Sequence, residues 1–209
     1  MNIAQIYEKL GTSPNLQQHM IRVTSVGLFI LNNWNGEKLN TDTMTTMLLL
    51  HDIGNIVKFD LEKHPELLGD EVSRIEYWMK RQSEAIEKYG KDDHTATITM
   101  LAELGVSEEI KQKIHGMEYM DVENIKDHDD WYLKVALYAD LRVGPFGILT
   151  LQERLDDLHA RSEKYGAHPE FIDFSKELEK QVQENMSIGV DSISDETVTS
   201  HENLRSHSI

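Results

Sequence analysis

Residues 47–54 read MLLLHDIG, and this stretch decides how the chain is interpreted. An apolar run that ends in an imidazole and a carboxylate predicts a buried helix whose last turn carries polar groups. Burying an ionised aspartate without a partner costs several kcal/mol, so a core helix normally pairs it with a cation or with a full set of hydrogen bonds. A metal ion is such a cation, and His51 and Asp52 are therefore candidate metal ligands.

Two further polar residues occupy apolar helical patterns. His19 lies on an earlier amphipathic stretch, and Asp140 lies inside the nearly continuous apolar run of residues 132–141. In chain order the candidates read His, then His-Asp, then Asp. The structural alternative is a core network in which hydrogen bonds alone satisfy these groups, with His19 as an isolated histidine at an interface.

Helical periodicity extends along almost the whole chain, and no alternating strand pattern is present. The fold class predicted is therefore all-α, with one domain over residues 1–186. The last residues, 187–209, contain six serines and no aromatic residue, which predicts a disordered tail. The predicted helices run over about 14–34, from Thr41 to His51-Asp52, over 65–89 as one or two helices, over 91–105, from Ser107, and over 131–143, 149–165 and 169–186.

The order of these residues resembles the HD-domain metal-dependent phosphohydrolase superfamily. HMIRV at 19–23 is similar to the family's first-histidine helix, LLHDIG at 49–54 to its central motif, and YAD at 138–140 to its last ligand. The resemblance covers roughly residues 16–161. It implies a single-domain HD-type helical bundle with a metal site in its core.

The resemblance also implies the ligands and the cofactor, two divalent ions drawn from Fe, Mn, Co, Mg and Zn. The implied ligands are His19, His51, Asp52, His94, His115 and Asp140. His51 and Asp52 point about 100° apart on a helix, so both reach one ion only over the helix edge, where the second oxygen of Asp52 can bridge to another ion. His94 shares a helical stripe with Ile98 and Leu101, which predicts that it faces the core. His115 is less certain, and His128 in a charged loop is its rival.

Three basic residues near the motifs are candidate contacts for substrate phosphate. Arg22 follows the first histidine by three residues, Lys58 follows the central motif by about a turn, and Arg142 follows the last aspartate by two. Plain surface charges would explain each of them as well, and a salt bridge to the acidic surface would explain Arg142. The catalytic residues expected from the resemblance are Asp52, Arg22 and Lys58.

Departures from the family pattern narrow the possible branches. Asn55 stands where many members carry a lysine directly after the glycine. No Gly-Tyr-Pro motif is present, which disfavours the cyclic-dinucleotide phosphodiesterases, and the Glu-Asp pair of the alarmone hydrolases is missing after Lys58. A small member with an unassigned substrate remains.

Composition excludes several other classes of protein. The 209 residues include 21 Lys plus Arg and 37 Asp plus Glu, a formal charge of −16, which disfavours nonspecific binding to nucleic acid or to an anionic membrane. The absence of cysteine excludes thiolate metal sites. The first residues lack the basic start and the apolar region expected of a signal peptide, and no run of apolar residues approaches the length of about 18 that a membrane-spanning helix needs. We expect a cytoplasmic enzyme, monomeric or homodimeric.

The function implied by the resemblance is cleavage of a phosphate mono- or diester by metal-activated water, with nucleotides as the favoured substrate class. The leading alternative uses the same ligands: mixed-valent di-iron oxygenases also resemble this fold, and such an enzyme would act on a small phosphonate- or polyol-like substrate. A third class, the non-catalytic HD-like binding module, normally loses ligands that this chain keeps.

Overall fold

Helices form the regular structure of this protein. The computed structural model describes residues 1–117, 129–161, 169–199 and 201–209, and no strand occurs among them. The α-helices are α1 (Ile3–Leu10), α2 (Pro14–Asn32), α3 (Thr41–Leu50), α4 (Ile75–Tyr89), α5 (Asp93–Glu103), α6 (Glu108–His115), α7 (Trp131–Leu141), α8 (Leu151–Arg161) and α9 (Pro169–Asn185). Short 3-10 helices cover Asn55–Lys58, Pro65–Arg74, Val190–Ser192 and Glu202–Ser206. The all-α prediction is confirmed.

Side-chain caps fix where several of these helices begin. Asn40 accepts a hydrogen bond from the backbone N–H of Thr43 at 2.9 Å and so starts α3. Asp92 accepts one from Thr95 at 2.7 Å and starts α5. A capping side chain satisfies a backbone N–H that the first turn leaves without a helical partner. After α5 the chain turns at Gly105 in the left-handed region, at φ +72°, where glycine is favoured.

The helices that carry the candidate ligands pack closely against one another. α2 lies along α3 and also contacts α7, whose residues from Lys134 to Leu141 are all buried. Gly27 allows the close approach of α2 and α3, because a Cβ at that position would collide with the Leu48 side chain. The apolar surfaces of α2, α3 and α7 therefore bring three separate parts of the sequence to one place.

The carboxyl-terminal segment packs on the helices, so the predicted disordered tail is wrong. Val190, Ile193, Val198 and Leu204 are buried members of the main hydrophobic core. Their spacing follows neither a helical nor a strand period, which is why the pattern did not reveal them. The packed domain therefore does not end at residue 186.

The two ends of the chain also pair with each other. The Ile3 N–H donates to the His207 carbonyl at 2.9 Å, and the Ile209 N–H donates to the Met1 carbonyl at 3.1 Å. His207 Nε2 also lies 2.8 Å from the Thr46 hydroxyl of α3. These bonds fix the terminal segment against α1 and α3.

Arg142 holds the same segment from inside the protein. It is only 2% exposed, and its guanidinium donates four hydrogen bonds. The acceptors are the carbonyls of Leu149 at 2.7 Å, Val190 at 3.0 Å and Ile193 at 2.9 Å, and the Tyr138 hydroxyl at 2.9 Å. Arg142 therefore stabilises the fold, and the suggestion that it contacts substrate is wrong.

A chain that ends at Met186 should unfold at a melting temperature at least about 10 °C below that of the full chain. It loses four buried apolar side chains, each worth roughly 1.5–3 kcal/mol, and leaves Arg142 buried without two of its acceptors. Circular dichroism during heating measures this change. Val198→Ala should lower the melting temperature by a smaller amount, whereas Glu196→Ala, at an exposed position, should leave it unchanged. A truncated chain with the full melting temperature would contradict the packing described above.

Candidate metal centre

Three side chains from α2, from the end of α3 and from α7 meet in the interior. His19 Nε2 lies 3.1 Å from Asp140 Oδ1, and His51 Nε2 lies 3.7 Å from the same oxygen. One ligand atom from each of the three residues lies within 4.8 Å of the other two. His51 and Asp140 are buried and His19 is partly buried, so the group could hold a metal ion.

The His51 ring is oriented by a hydrogen bond on its far side. His51 Nδ1 lies 2.8 Å from the Leu48 carbonyl and donates to it. This bond occupies Nδ1, so Nε2 is the nitrogen left to bind a metal once it has lost its proton, as is usual for a metal-binding histidine. Nε2 is buried and has no hydrogen-bond partner among the described residues. A metal ion would satisfy this nitrogen, so the donor set fits one.

Asp52 lies at the edge of the same group. Its Oδ2 is 3.5 Å from His19 Nε2 and 3.7 Å from His51 Nε2. Its side chain is 23% exposed, unlike that of the more deeply buried Asp140. Asp52 can therefore contact both the buried group and a molecule that enters from outside.

Neighbouring charges, rather than burial, decide the direction in which the pKa values of these groups shift. Burial raises the pKa of Asp52, but the imidazoles of His51 and His19 outweigh burial and lower it to about 2. Burial likewise opposes ionisation of Asp140, yet His19 and His51 hold its pKa well below the usual value. Burial lowers the pKa of His51, but Asp52 and Asp140 outweigh this effect and raise it to about 9. Both carboxylates are therefore ionised at neutral pH and attract a cation.

The turn after α3 differs from the prediction. The sequence predicts a helix that reaches His51 and Asp52, whereas α3 ends at Leu50 and a turn follows. Gly54 lies in this turn, where its N–H donates to the Thr97 hydroxyl at 3.1 Å. A Cβ at Gly54 would lie 2.5 Å from the Thr97 backbone nitrogen, so only glycine lets this turn pack on α5.

His94 and His115 form a separate pair. His94 lies in the first turn of α5 and His115 ends α6, and their Nε2 and Nδ1 atoms are 2.6 Å apart in a hydrogen bond. His94 is partly buried, as His19 is, and His115 is exposed. The structure brings the two predicted residues together, but neither belongs to the group formed by His19, His51 and Asp140. The rival, His128, lies outside the described residues.

A cavity of about 500 Å³ opens beside the metal-capable group. Its lining includes His19, Asp52 and Asp140 together with the basic side chains of Lys58 and Arg154. The cavity thus places ionised carboxylates and fixed cations in one space. An anionic molecule bound there would meet both the candidate metal ligands and positive side chains.

The predicted phosphate contacts have different positions. Lys58 lines the cavity, and its Nζ lies 2.6 Å from Asp93 Oδ2. Asn55, which follows Gly54 in the sequence, lines it as well. Arg22 is not among the lining residues; burial lowers the pKa of its guanidinium, and the Asp195 carboxylate of the terminal segment opposes that effect.

Arg154 is a site residue that the sequence reasoning missed. It lines the cavity from α8, on the same helical face as Leu151, Leu155 and Leu158. The sequence does contain one feature that could have identified Arg154, namely its position on an otherwise apolar helical face. Charged side chains are rarely buried without a partner, so such a position is unusual. The additional lining residues Asn15, Lys63 and His64 lie in segments without a comparable pattern.

Comparisons with protein-family models, with curated proteins and with solved structures found no match to this chain. In the described part of the chain, no helix is both long and apolar enough to cross a membrane.

Binding of Mn²⁺ to metal-free protein should release a proton near pH 7. The raised pKa of His51, about 9, means that the ion must displace a proton from Nε2 at lower pH, so the apparent affinity should rise with pH up to about 9. Calorimetric titrations in buffers with different ionisation enthalpies measure the number of protons released. His159→Gln, a change at an exposed histidine of α8, is the matched control. An affinity that is independent of pH between 7 and 9, with no proton release at pH 7, would argue against metal binding at His51.

Proposed function

We propose that this protein is a metal-dependent phosphohydrolase that cleaves a phosphate mono- or diester, and that it belongs to the HD-domain superfamily. The observation that carries the proposal is the group of His19, His51 and Asp140 beside a cavity that is also lined by Lys58 and Arg154. A metal site next to fixed cations suits a substrate whose reacting group is anionic. Nucleotides are the substrate class that the resemblance favours.

The donor set determines which ions are suitable. Two imidazoles and carboxylate oxygens suit Mn, Fe, Co and Zn, and oxygen donors also suit Mg. His19, His51 and Asp140 would hold the first ion, with Asp52 beside them. A divalent ion bound there would polarise a phosphoryl oxygen and lower the pKa of a water molecule towards about 7.

The chain's own residues have distinct roles in this proposal. Asp52, with its lowered pKa, stays ionised at neutral pH and faces the cavity, where its carboxylate can hold a polar hydrogen of the attacking group. Lys58 presents a positive charge to the phosphate while Asp93 restricts the position of its ammonium group. The Leu48 carbonyl keeps the His51 ring in its orientation. These groups are in place before substrate binds, so little reorganisation accompanies the reaction.

A second ion is part of the proposal. His94 and His115 already lie together, and a pair of imidazoles that share one hydrogen bond can exchange it for coordination of a metal. Lys58 and Asp93 link the start of α5 to the segment that follows Asp52. His94 therefore lies on a helix that contacts the surroundings of the first site, and His115 of α6 lies against His94. His94 and His115 would hold the second ion, and Asp52 would offer a carboxylate oxygen to each ion.

Metal-free protein that is reloaded with Mn²⁺ or Co²⁺ under strict anaerobiosis should release phosphate from a panel of nucleotides and other phosphoesters. Hydrolysis requires neither dioxygen nor a change of valence. His51→Ala should abolish the activity together with metal binding, whereas His159→Gln should retain both. The readout is inorganic phosphate in a colorimetric assay, measured directly for monoesters and after phosphatase treatment of the products for diesters.

The opposite result would favour the oxygenase. No phosphate release across the panel, combined with a mixed-valent di-iron electron paramagnetic resonance signal and substrate-dependent oxygen uptake by the iron form, would overturn the hydrolase proposal. His and carboxylate ligands serve both reactions, so the assay must include both arms.

Metal content tests the proposed second ion. Wild-type protein should bind about two ions per chain, and Asp52→Ala should lower this towards zero because the bridging carboxylate serves both ions. His94→Ala and His115→Ala should each retain about one ion, while His159→Gln should retain two. Elemental analysis by mass spectrometry measures these values. Saturation of the wild type at one ion, with no change in the His94 and His115 variants, would leave a mononuclear site.

A further inference from the structure

Arg154 occupies an unusual position for a charged side chain. It lies on α8 between Leu151 and Leu155 of the apolar face, and only 9% of the residue is exposed. Leu158, one turn further on, lines the cavity beside it. The guanidinium is therefore held in the wall of the cavity, between the hydrophobic core and the space that a ligand would occupy.

Among the described residues, Arg154 does not find an acceptor for every N–H of its guanidinium. One terminal nitrogen donates to Asp157 Oδ2 at 2.7 Å. Its Nε is buried and has no hydrogen-bond partner among the residues that the structure describes. Since a guanidinium carries five N–H donors, a buried arginine without a partner at Nε retains unused capacity to bind an anion.

The other cations of the cavity differ from Arg154 in burial. The Lys58 side chain is 44% exposed and pairs with Asp93, and the Lys63 side chain is 77% exposed and pairs with Asp60. Ion pairs at such exposed positions are weak and are readily exchanged with water. Arg154 alone among these three is held in a desolvated place, where a hydrogen bond to an anion is strongest.

We propose that Arg154 binds a phosphate group of the substrate in this cavity, an inference that rests on the phosphohydrolase function proposed above. The planar guanidinium fork matches two oxygens of a phosphate, and Asp157 keeps the fork in one orientation by occupying a terminal nitrogen. Arg154 then takes the role that the sequence suggested for Arg22, which does not line the cavity. Specificity for phosphorylated compounds follows from this contact.

Calorimetric titration of the full-length protein with inorganic phosphate tests the inference. EDTA-treated protein is used, so that only protein cations contribute to binding. Arg154→Gln should weaken phosphate binding roughly tenfold or more, and Arg154→Lys should give an intermediate loss because it keeps the charge but not the fork. Arg81→Gln is the matched control: Arg81 pairs with Glu84 at the same i,i+3 spacing but does not line the cavity. Acetate, titrated in parallel, should bind much more weakly than phosphate.

The inference is overturned if wild-type protein does not bind phosphate, if Arg154→Gln and Arg154→Lys both bind it as tightly as wild type, or if acetate binds as tightly as phosphate. Thermal unfolding of each variant shows whether it is folded, and Arg154→Lys provides the test if Arg154→Gln is not. The proposed function can fail while this inference stands: a protein that binds phosphate through Arg154 but hydrolyses no ester has the anion site and is not a phosphohydrolase. Conversely, hydrolysis with an unchanged KM in both Arg154 variants would support the phosphohydrolase function and contradict the role of Arg154.

Discussion

The attraction of two carboxylates for a cation is the interaction around which the structure is arranged. Asp140 is buried and Asp52 is partly buried, and both are ionised at neutral pH because His19 and His51 lie beside them. In the metal-free protein a protonated His51 supplies the positive charge. A bound metal ion would supply positive charge and would also satisfy the buried Nε2 of His51, which has no hydrogen-bond partner among the described residues. The same residues therefore pack together without an ion and could hold one.

The helices that carry these ligands are supported from the opposite side by the terminal segment. Asp140 lies in the last turn of α7 and Arg142 caps the end of that helix, and Arg142 binds the carbonyls of Val190 and Ile193. Tyr138, on the same helix, donates a hydrogen bond to Glu179 of α9 at 2.7 Å. The position of Asp140 therefore depends on contacts with residues that are distant in the sequence.

Local patterns in the sequence were sufficient for most of the helices. The 3.6-residue period, together with the helix starts inferred near residues 14, 41 and 91, predicted α2, α3 and α5 closely. The meeting of His19, His51 and Asp140 was also expected, because each polar side chain interrupts an apolar face. The resemblance to the HD-domain superfamily supplied their grouping, and membership of that family remains a proposal.

Features that depend on tertiary packing were not predictable in the same way. Nothing in the serine-rich composition of 187–209 indicates that Val198 and Leu204 enter the core, because burial there depends on surfaces made by other helices. Arg142 and Arg22 were candidate phosphate contacts because they lie close in sequence to Asp140 and His19. Only the fold shows that Arg142 binds carbonyls and that Arg154, from a later helix, reaches the cavity.

Anomalous diffraction from crystals loaded with Mn²⁺ or Co²⁺ would show directly whether His19, His51 and Asp140 hold a metal ion. We expect a strong anomalous peak within coordination distance of His19 Nε2, His51 Nε2 and an Asp140 oxygen, about 2.0–2.3 Å for such ligands. The His51 Nδ1 bond to Leu48 should be unchanged. Metal binding at this site would be contradicted by metal-loaded crystals in which His51 Nε2 and the carboxylates of Asp52 and Asp140 have no anomalous peak near them and are bridged by water alone.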